Sequence, residues 1–191
     1  MSAVMSSAEQ QRKKIHPHKF TLWVGIGSII MMFAGLTSAY IVKREQPGWT
    51  GFTMPLVFWY STAVMLVSSL TMQMALKAFK ERERNKYKNL VAITTVLGIL
   101  FVVMQVVGYN KLHGAGIKIE GSGAGVFFII IFGLHALHVL GGIIALMVLL
   151  VKSLSGRIRN YNPVPVEVTS TYWHFVDVLW IYLFIFFLWI Q

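Results

Sequence analysis

Apolar residues run along this chain in five stretches, each matching the roughly 20 residues that a helix needs to cross a bilayer. They occupy positions 20–42, 55–76, 89–109, 123–151 and 168–190, and no proline breaks any of them. The pattern predicts an all-α polytopic membrane protein, a bundle of five transmembrane helices. The fourth stretch exceeds what one crossing needs, so it is expected to tilt or to end outside the hydrocarbon. Residues 1–14 are small and polar and are expected to be disordered. A cytoplasmic N-terminal tail is therefore assigned to 1–19 and the five-helix membrane domain to 20–191.

The polar intervals carry their own signals. The interval 77–88 looks like a charged, solvated helical extension, with Lys77 and Glu81 one turn apart. Pro47-Gly48-Trp49 places a tryptophan where it can anchor at a membrane interface. The third loop is glycine-rich (Gly114, Gly116, Gly121), and Asn162-Pro163-Val164-Pro165 reads as a rigid turn before the last helix. Gly35 with Ala39, and Gly141 with Ala145, form small-xxx-small pairs that admit a neighbouring backbone.

Composition agrees with the pattern: 56% of residues are hydrophobic and 13% charged, which leaves no room among these 191 residues for a soluble catalytic domain. The net charge of +10 raises a nucleic-acid reading, which its distribution opposes. Of the 17 Lys and Arg, 13 fall on the segments before the first helix and in the second and fourth loops. The other 4 fall in the first and third loops. That asymmetry predicts a cytoplasmic N-terminus and a C-terminus across the membrane. The cations then set topology beside anionic headgroups rather than gripping nucleic acid. No apolar core precedes Phe20, so no cleaved signal peptide is expected. Cysteine is absent, which excludes disulfides, thiolate metal centres and c-type haem attachment within the chain.

Few polar residues lie at membrane depth. In the fifth stretch His174 and Asp177 stand three apart on one helical face. An Asp near a helix centre costs about 2.5 to 3.5 kcal/mol to insert, so it must face protein, water or a partner. One reading is a carboxylate satisfied by His174 or by Trp or Tyr donors of a neighbouring helix; another is a proton relay or a lipid contact. His135 and His138 share a face of the fourth helix, a spacing that can ligate metal or haem but lacks a third convergent ligand. They read as hydrogen-bonded packing residues. Gln105 of the third helix reads as an interhelical hydrogen-bond donor.

Two stretches carry a family resemblance: Phe132-Gly133-Leu134-His135-Ala136-Leu137-His138-Val139-Leu140-Gly141 and Tyr172-Trp173-His174-Phe175-Val176-Asp177-Val178-Leu179-Trp180. With Glu167, Phe33-Ala34-Gly35 and Gln105 in weaker support, the chain resembles cytochrome c oxidase subunit III, of the haem–copper oxidases, over about residues 15–191. The resemblance implies the five-helix form of a family whose larger form has seven. It implies an accessory subunit of a proton-pumping terminal oxidase in aerobic respiration, in the bacterial inner membrane. Such a subunit packs on oxidase subunit I, beside subunit II and small membrane subunits, and supports proton uptake indirectly. It carries no catalytic residue, metal or cofactor of its own; haem and copper belong to the partner subunits, and bound phospholipid is expected. The residues carried over as structural or lipid-associated are His135, His138, Glu167, His174, Asp177 and Gln105. Two family glutamates are missing: Ile29 stands at one position and Gly108 at the other. The alternatives are a quinol-oxidase or nitric-oxide-reductase subunit, a free-standing membrane cytochrome b, and a small proton-coupled transporter.

Overall fold

The computed structural model describes residues 17–45, 54–114, 123–155 and 163–190. They form five helices: α1 Pro17–Arg44, α2 Val57–Lys80, α3 Arg84–Gly114, α4 Gly123–Leu154 and α5 Val164–Trp189. All five are long and apolar enough to span a membrane. With no water at depth, each helix satisfies its own backbone, which is why the apolar runs become helices.

The helices outrun the apolar stretches at several ends. α3 begins at Arg84, five residues before its apolar run, and α4 reaches 32 residues, about 48 Å at 1.5 Å per residue. α5 starts at Val164, inside the segment expected to be a turn. Pro165 sits in the first turn, where a missing N–H costs no helical hydrogen bond. α1 likewise begins at Pro17, so Lys19 projects from a helix. Trp49 and the third-loop residues Gly116 and Gly121 lie outside the described residues, as do residues 1–14.

Between α2 and α3 the chain turns within three residues. Glu83 N–H donates to the Ala78 carbonyl at 3.0 Å and Arg82 N–H to the Phe79 carbonyl at 3.2 Å. This is the paired closure of a Schellman motif, with Arg82 at φ 60° in the left-handed position that glycine usually takes. The charged segment 77–88 is thus two helix ends around a sharp corner.

α5 packs against α1, α2 and α4; α4 also packs against α1 and α3, and α3 against α2. Among the described residues α1 and α2 make no contact with each other, so α5 lies open in a furrow between them. Trp173 lies in the core with its ring fully buried. A Cβ on Gly98 of α3 would lie 2.8 Å from that ring, and one on Gly142 of α4 would lie 2.9 Å from it. These two glycines make room for the indole. The small pairs expected to admit a backbone behave differently. Gly35 has nothing within 4 Å of where its Cβ would stand, and Gly141 meets only the Tyr172 hydroxyl at 3.7 Å. The Gly35 face of α1 therefore points away from the rest of the chain.

Candidate functional site

The polar side chains form three groups, all built around α5 or its neighbours. The first lies at the end of the bundle where α5 begins. Glu167 Oε2 is 2.7 Å from Lys19 Nζ on α1, and Oε1 is 3.1 Å from Lys80 Nζ on α2. One carboxylate thus ties the two helices that do not touch each other to the helix between them.

The second group lies deeper on α5. His174 Nδ1 and Ser69 Oγ of α2 share a hydrogen bond of 2.6 Å, and Ser69 also faces Asp177. Asp177 is 3% exposed, and neither carboxylate oxygen meets a hydrogen-bond donor within bonding geometry. The expected satisfaction of Asp177 by His174 or by aromatic donors of a neighbouring helix is not what the structure shows: His174 bonds Ser69, and the aromatic donors of Asp177's own helix are engaged elsewhere. Trp173 Nε1–H donates to Ser68 Oγ at 3.0 Å and Trp180 Nε1–H to Thr62 Oγ1 at 3.0 Å. The Tyr172 hydroxyl donates to the His138 carbonyl at 3.1 Å, and the Tyr182 hydroxyl bonds Thr37 at 2.9 Å.

The third group is built on α4, facing α1 on one side and α3 on the other. His138 Nδ1–H donates to the Leu134 carbonyl of its own helix at 2.6 Å, and its ring meets Phe33 edge-on at 5.8 Å. His135 differs from the expectation: neither ring nitrogen has a hydrogen-bond partner. Its ring instead stacks on Trp180 at 5.2 Å and meets Phe101 edge-on at 6.3 Å. Gln105 Nε2–H donates to Ser61 Oγ of α2 at 3.1 Å, while its Oε1 has no partner. Gln105 and His135 both border a cavity of about 260 Å³ between α3 and α4, otherwise walled by apolar side chains such as Val102, Phe132 and Val139. Gly133 contributes to this space, with nothing within 4 Å of its Cβ position. The place of the missing family glutamate at Gly108 is filled differently. The Phe58 ring of α2 lies 2.8 Å from where its Cβ would stand.

These residues hold helices together more than they converge on a reaction centre. His135 and His138 are near each other, but no three His, Asp or Glu gather among the described residues. The six residues singled out in the sequence do not form one site: Glu167 is at the bundle end, His174 and Asp177 on the α2–α5 seam, Gln105 and His135 on the α3–α4 cavity, and His138 on α4 against Phe33 of α1. The residues that sequence reasoning missed are the hydroxyls of α2, Ser61 for Gln105, Ser69 for His174 and Ser68 and Thr62 for Trp173 and Trp180, with Lys19 and Lys80 for Glu167. A signal was present. Ser61 with Ser68, and Thr62 with Ser69, are seven apart and so lie on one helical face.

Comparison with known proteins adds to this geometry. Residues 47–191 match the family model described as cytochrome c oxidase subunit III. A protein of Mycobacterium tuberculosis named probable cytochrome c oxidase subunit 3 is 33% identical over 194 residues, covering 96% of each chain. One of the same name from Nocardia farcinica is 33% identical with the same coverage. The cytochrome c oxidase subunit 3 of Bacillus sp. PS3 is 29% identical over 85% of this chain and 80% of its own length.

Proposed function

The chain belongs to the cytochrome c oxidase subunit III family, and from that premise we propose that it is a non-catalytic subunit of a proton-pumping haem–copper terminal oxidase. Its relatives along nearly the whole length carry the name of an oxidase subunit, and that coverage carries the reading. The polar chemistry of the chain supports a role without a redox centre. With no cysteine and no three-residue ligand cluster among the described residues, haem and copper are assigned to the partner subunits. The deep polar groups pair mostly helix to helix, as suits a scaffold that steadies a catalytic core. The direct partner is the catalytic subunit I, with subunit II and small membrane subunits nearby and phospholipid at its surface. Electron-donor docking falls on another chain, so a quinol-oxidising complex is the second choice of donor class. The uneven cation distribution supports a cytoplasmic N-terminus and a C-terminus outside.

A tagged chain purified from its native membrane tests this. It is expected to bring down a haem–copper catalytic subunit and oxygen-reducing activity, and the chain alone is expected to show no Soret band. Stoichiometric haem on the isolated chain would replace the reading with a membrane cytochrome b.

A further inference from the structure

Six hydrogen-bonding side chains lie along α2 between Ser61 and Gln73, and five of them are engaged within the bundle. Ser61 accepts from Gln105, Thr62 from Trp180 and Ser68 from Trp173, while Ser69 bonds His174 and Thr71 bonds Thr94 at 2.9 Å. Gln73 is the exception. It is exposed, and its amide makes no hydrogen bond among the described residues. It lies three residues inside the end of the apolar run at Leu76, about 4.5 Å below the hydrocarbon edge. Helical side chains lean toward the helix N-terminus, which for Gln73 is away from Lys77 and toward the middle of the bilayer. The amide is thus aimed away from the nearer headgroups, and lipid tails offer it neither donor nor acceptor.

The face around Gln73 has the form of a helix-packing seam. Trp59, Ala63, Leu66, Leu70, Gln73 and Lys77 follow one another at alternating spacings of four and three, and all are exposed. Ala63 admits a close approach, and a polar residue at a single seam position fixes the register of the helix that packs there. At the end of the seam Lys77 stays 78% exposed, with Glu81 3.9 Å away at the limit of an ion pair, so its charge is available to a partner. We infer that this face of α2 docks one transmembrane helix of another subunit, which sets an amide, hydroxyl or imidazole against Gln73 and an acidic residue against Lys77, one turn nearer the membrane surface. The inference deepens the subunit reading and rests on it. A second copy of this chain does not suit the seam. Two copies share one orientation in the membrane, so a symmetric contact that paired Gln73 with Gln73 would also set Lys77 on Lys77, and like charges at one level repel.

A lipid-facing and a partner-facing Gln73 differ in the sign of one substitution. Facing lipid, the amide only burdens insertion, and Gln73→Leu leaves the subunit as well held or better. Facing a partner helix, Gln73→Leu removes an interhelical hydrogen bond. Retention of the full chain in the purified complex, followed through rising detergent, is then expected to fall roughly three- to thirtyfold, the range that one such bond is worth. Gln73→Asn, which keeps the amide, is expected to recover part of the loss, and Lys77→Glu to lower retention where Lys77→Arg does not. The occupant is read by cross-linking. The chain has no cysteine, so Leu70→Cys takes a single benzophenone-maleimide label. Irradiated in the native membrane, the label is expected to join this chain to a transmembrane peptide of a subunit that co-purifies with haem. That peptide is expected to bear a hydrogen-bonding and an acidic side chain about one turn apart. Adducts with lipid alone, adducts with a second copy, a joined peptide without such side chains, or Gln73→Leu retained as well as wild type would each overturn the inference. Should Gln73→Leu fail to insert, the Leu70→Cys cross-link and Lys77→Glu decide on their own. A chain that co-purifies with haem but joins only lipid removes this surface and leaves the subunit reading standing; a chain that never co-purifies with haem sinks that reading instead.

Discussion

Asp177 is buried among helices with both carboxylate oxygens unmet, although four aromatic donors on its own helix lie within a few residues. A buried carboxylate without hydrogen bonds is poorly compensated for lost hydration, and removing its charge relieves that cost. Asp177→Asn, which keeps the shape, is therefore expected to assemble at least as well as wild type and to melt no lower. Oxygen consumption per haem is expected to stay at the wild-type level. Full assembly with an early loss of turnover would show that the carboxylate serves proton movement instead. The sequence made Asp177 legible as a costly residue but not its surroundings. Trp173 finds Ser68 and His174 finds Ser69 across 105 positions of chain, a pairing that no local spacing encodes. The same holds for His135, whose imidazole is kept by stacking on Trp180 rather than by a hydrogen bond.

At the scale of helices, the number and order of the elements were legible because hydrocarbon thickness fixes the length of each apolar run. Their ends were less so, since backbone hydrogen bonding continues past the last apolar residue into lysine- and arginine-bearing turns. Which glycine admits a neighbour was not legible at all. Gly35 and Ala39 have the spacing of a packing pair, yet the close approaches are at Gly98 and Gly142 against Trp173 and at Gly108 against Phe58. A methyl group at Gly142 would force the indole or the α4 backbone to shift, and overpacking of this kind costs about 1–3 kcal/mol. Gly142→Ala is thus expected to lower the melting temperature and yield of the complex. Adding Trp173→Phe, which withdraws the ring atoms in conflict, is expected to recover part of the loss. Gly133→Ala, which meets open space, is expected to leave the melting temperature unchanged or raised, because alanine favours helix over glycine by about 1 kcal/mol. Thermal melts of the three variants rank these outcomes, and equal losses at Gly133 and Gly142 would contradict the packing described.

For the whole molecule, an odd number of crossings is expected to put Pro17 and Trp189 on opposite faces of the membrane, and the 13-to-4 division of cations predicts which is which. Alkaline phosphatase fused after Gln191 is expected to be active and a cytoplasmic reporter there silent; the reverse would invert the orientation. The arrangement of contacts also has a consequence for how such a chain is made. α2 and α3 hold the most extensive interface in the bundle, and only the corner at Glu81–Glu83 separates them in sequence, so they can close as a hairpin soon after both have entered the bilayer. α1 is in the opposite situation. It is synthesised first, yet among the described residues its only partners are α4 and α5, whose first residues follow its end by about 80 and 120 positions. Through most of translation α1 stands as a lone segment in lipid, and a ribosome stalled after α3 leaves behind one paired hairpin and one orphan span. Release of the chain as a finished subunit thus waits on α4 and α5, the two helices that join the first segment made to the hairpin made after it.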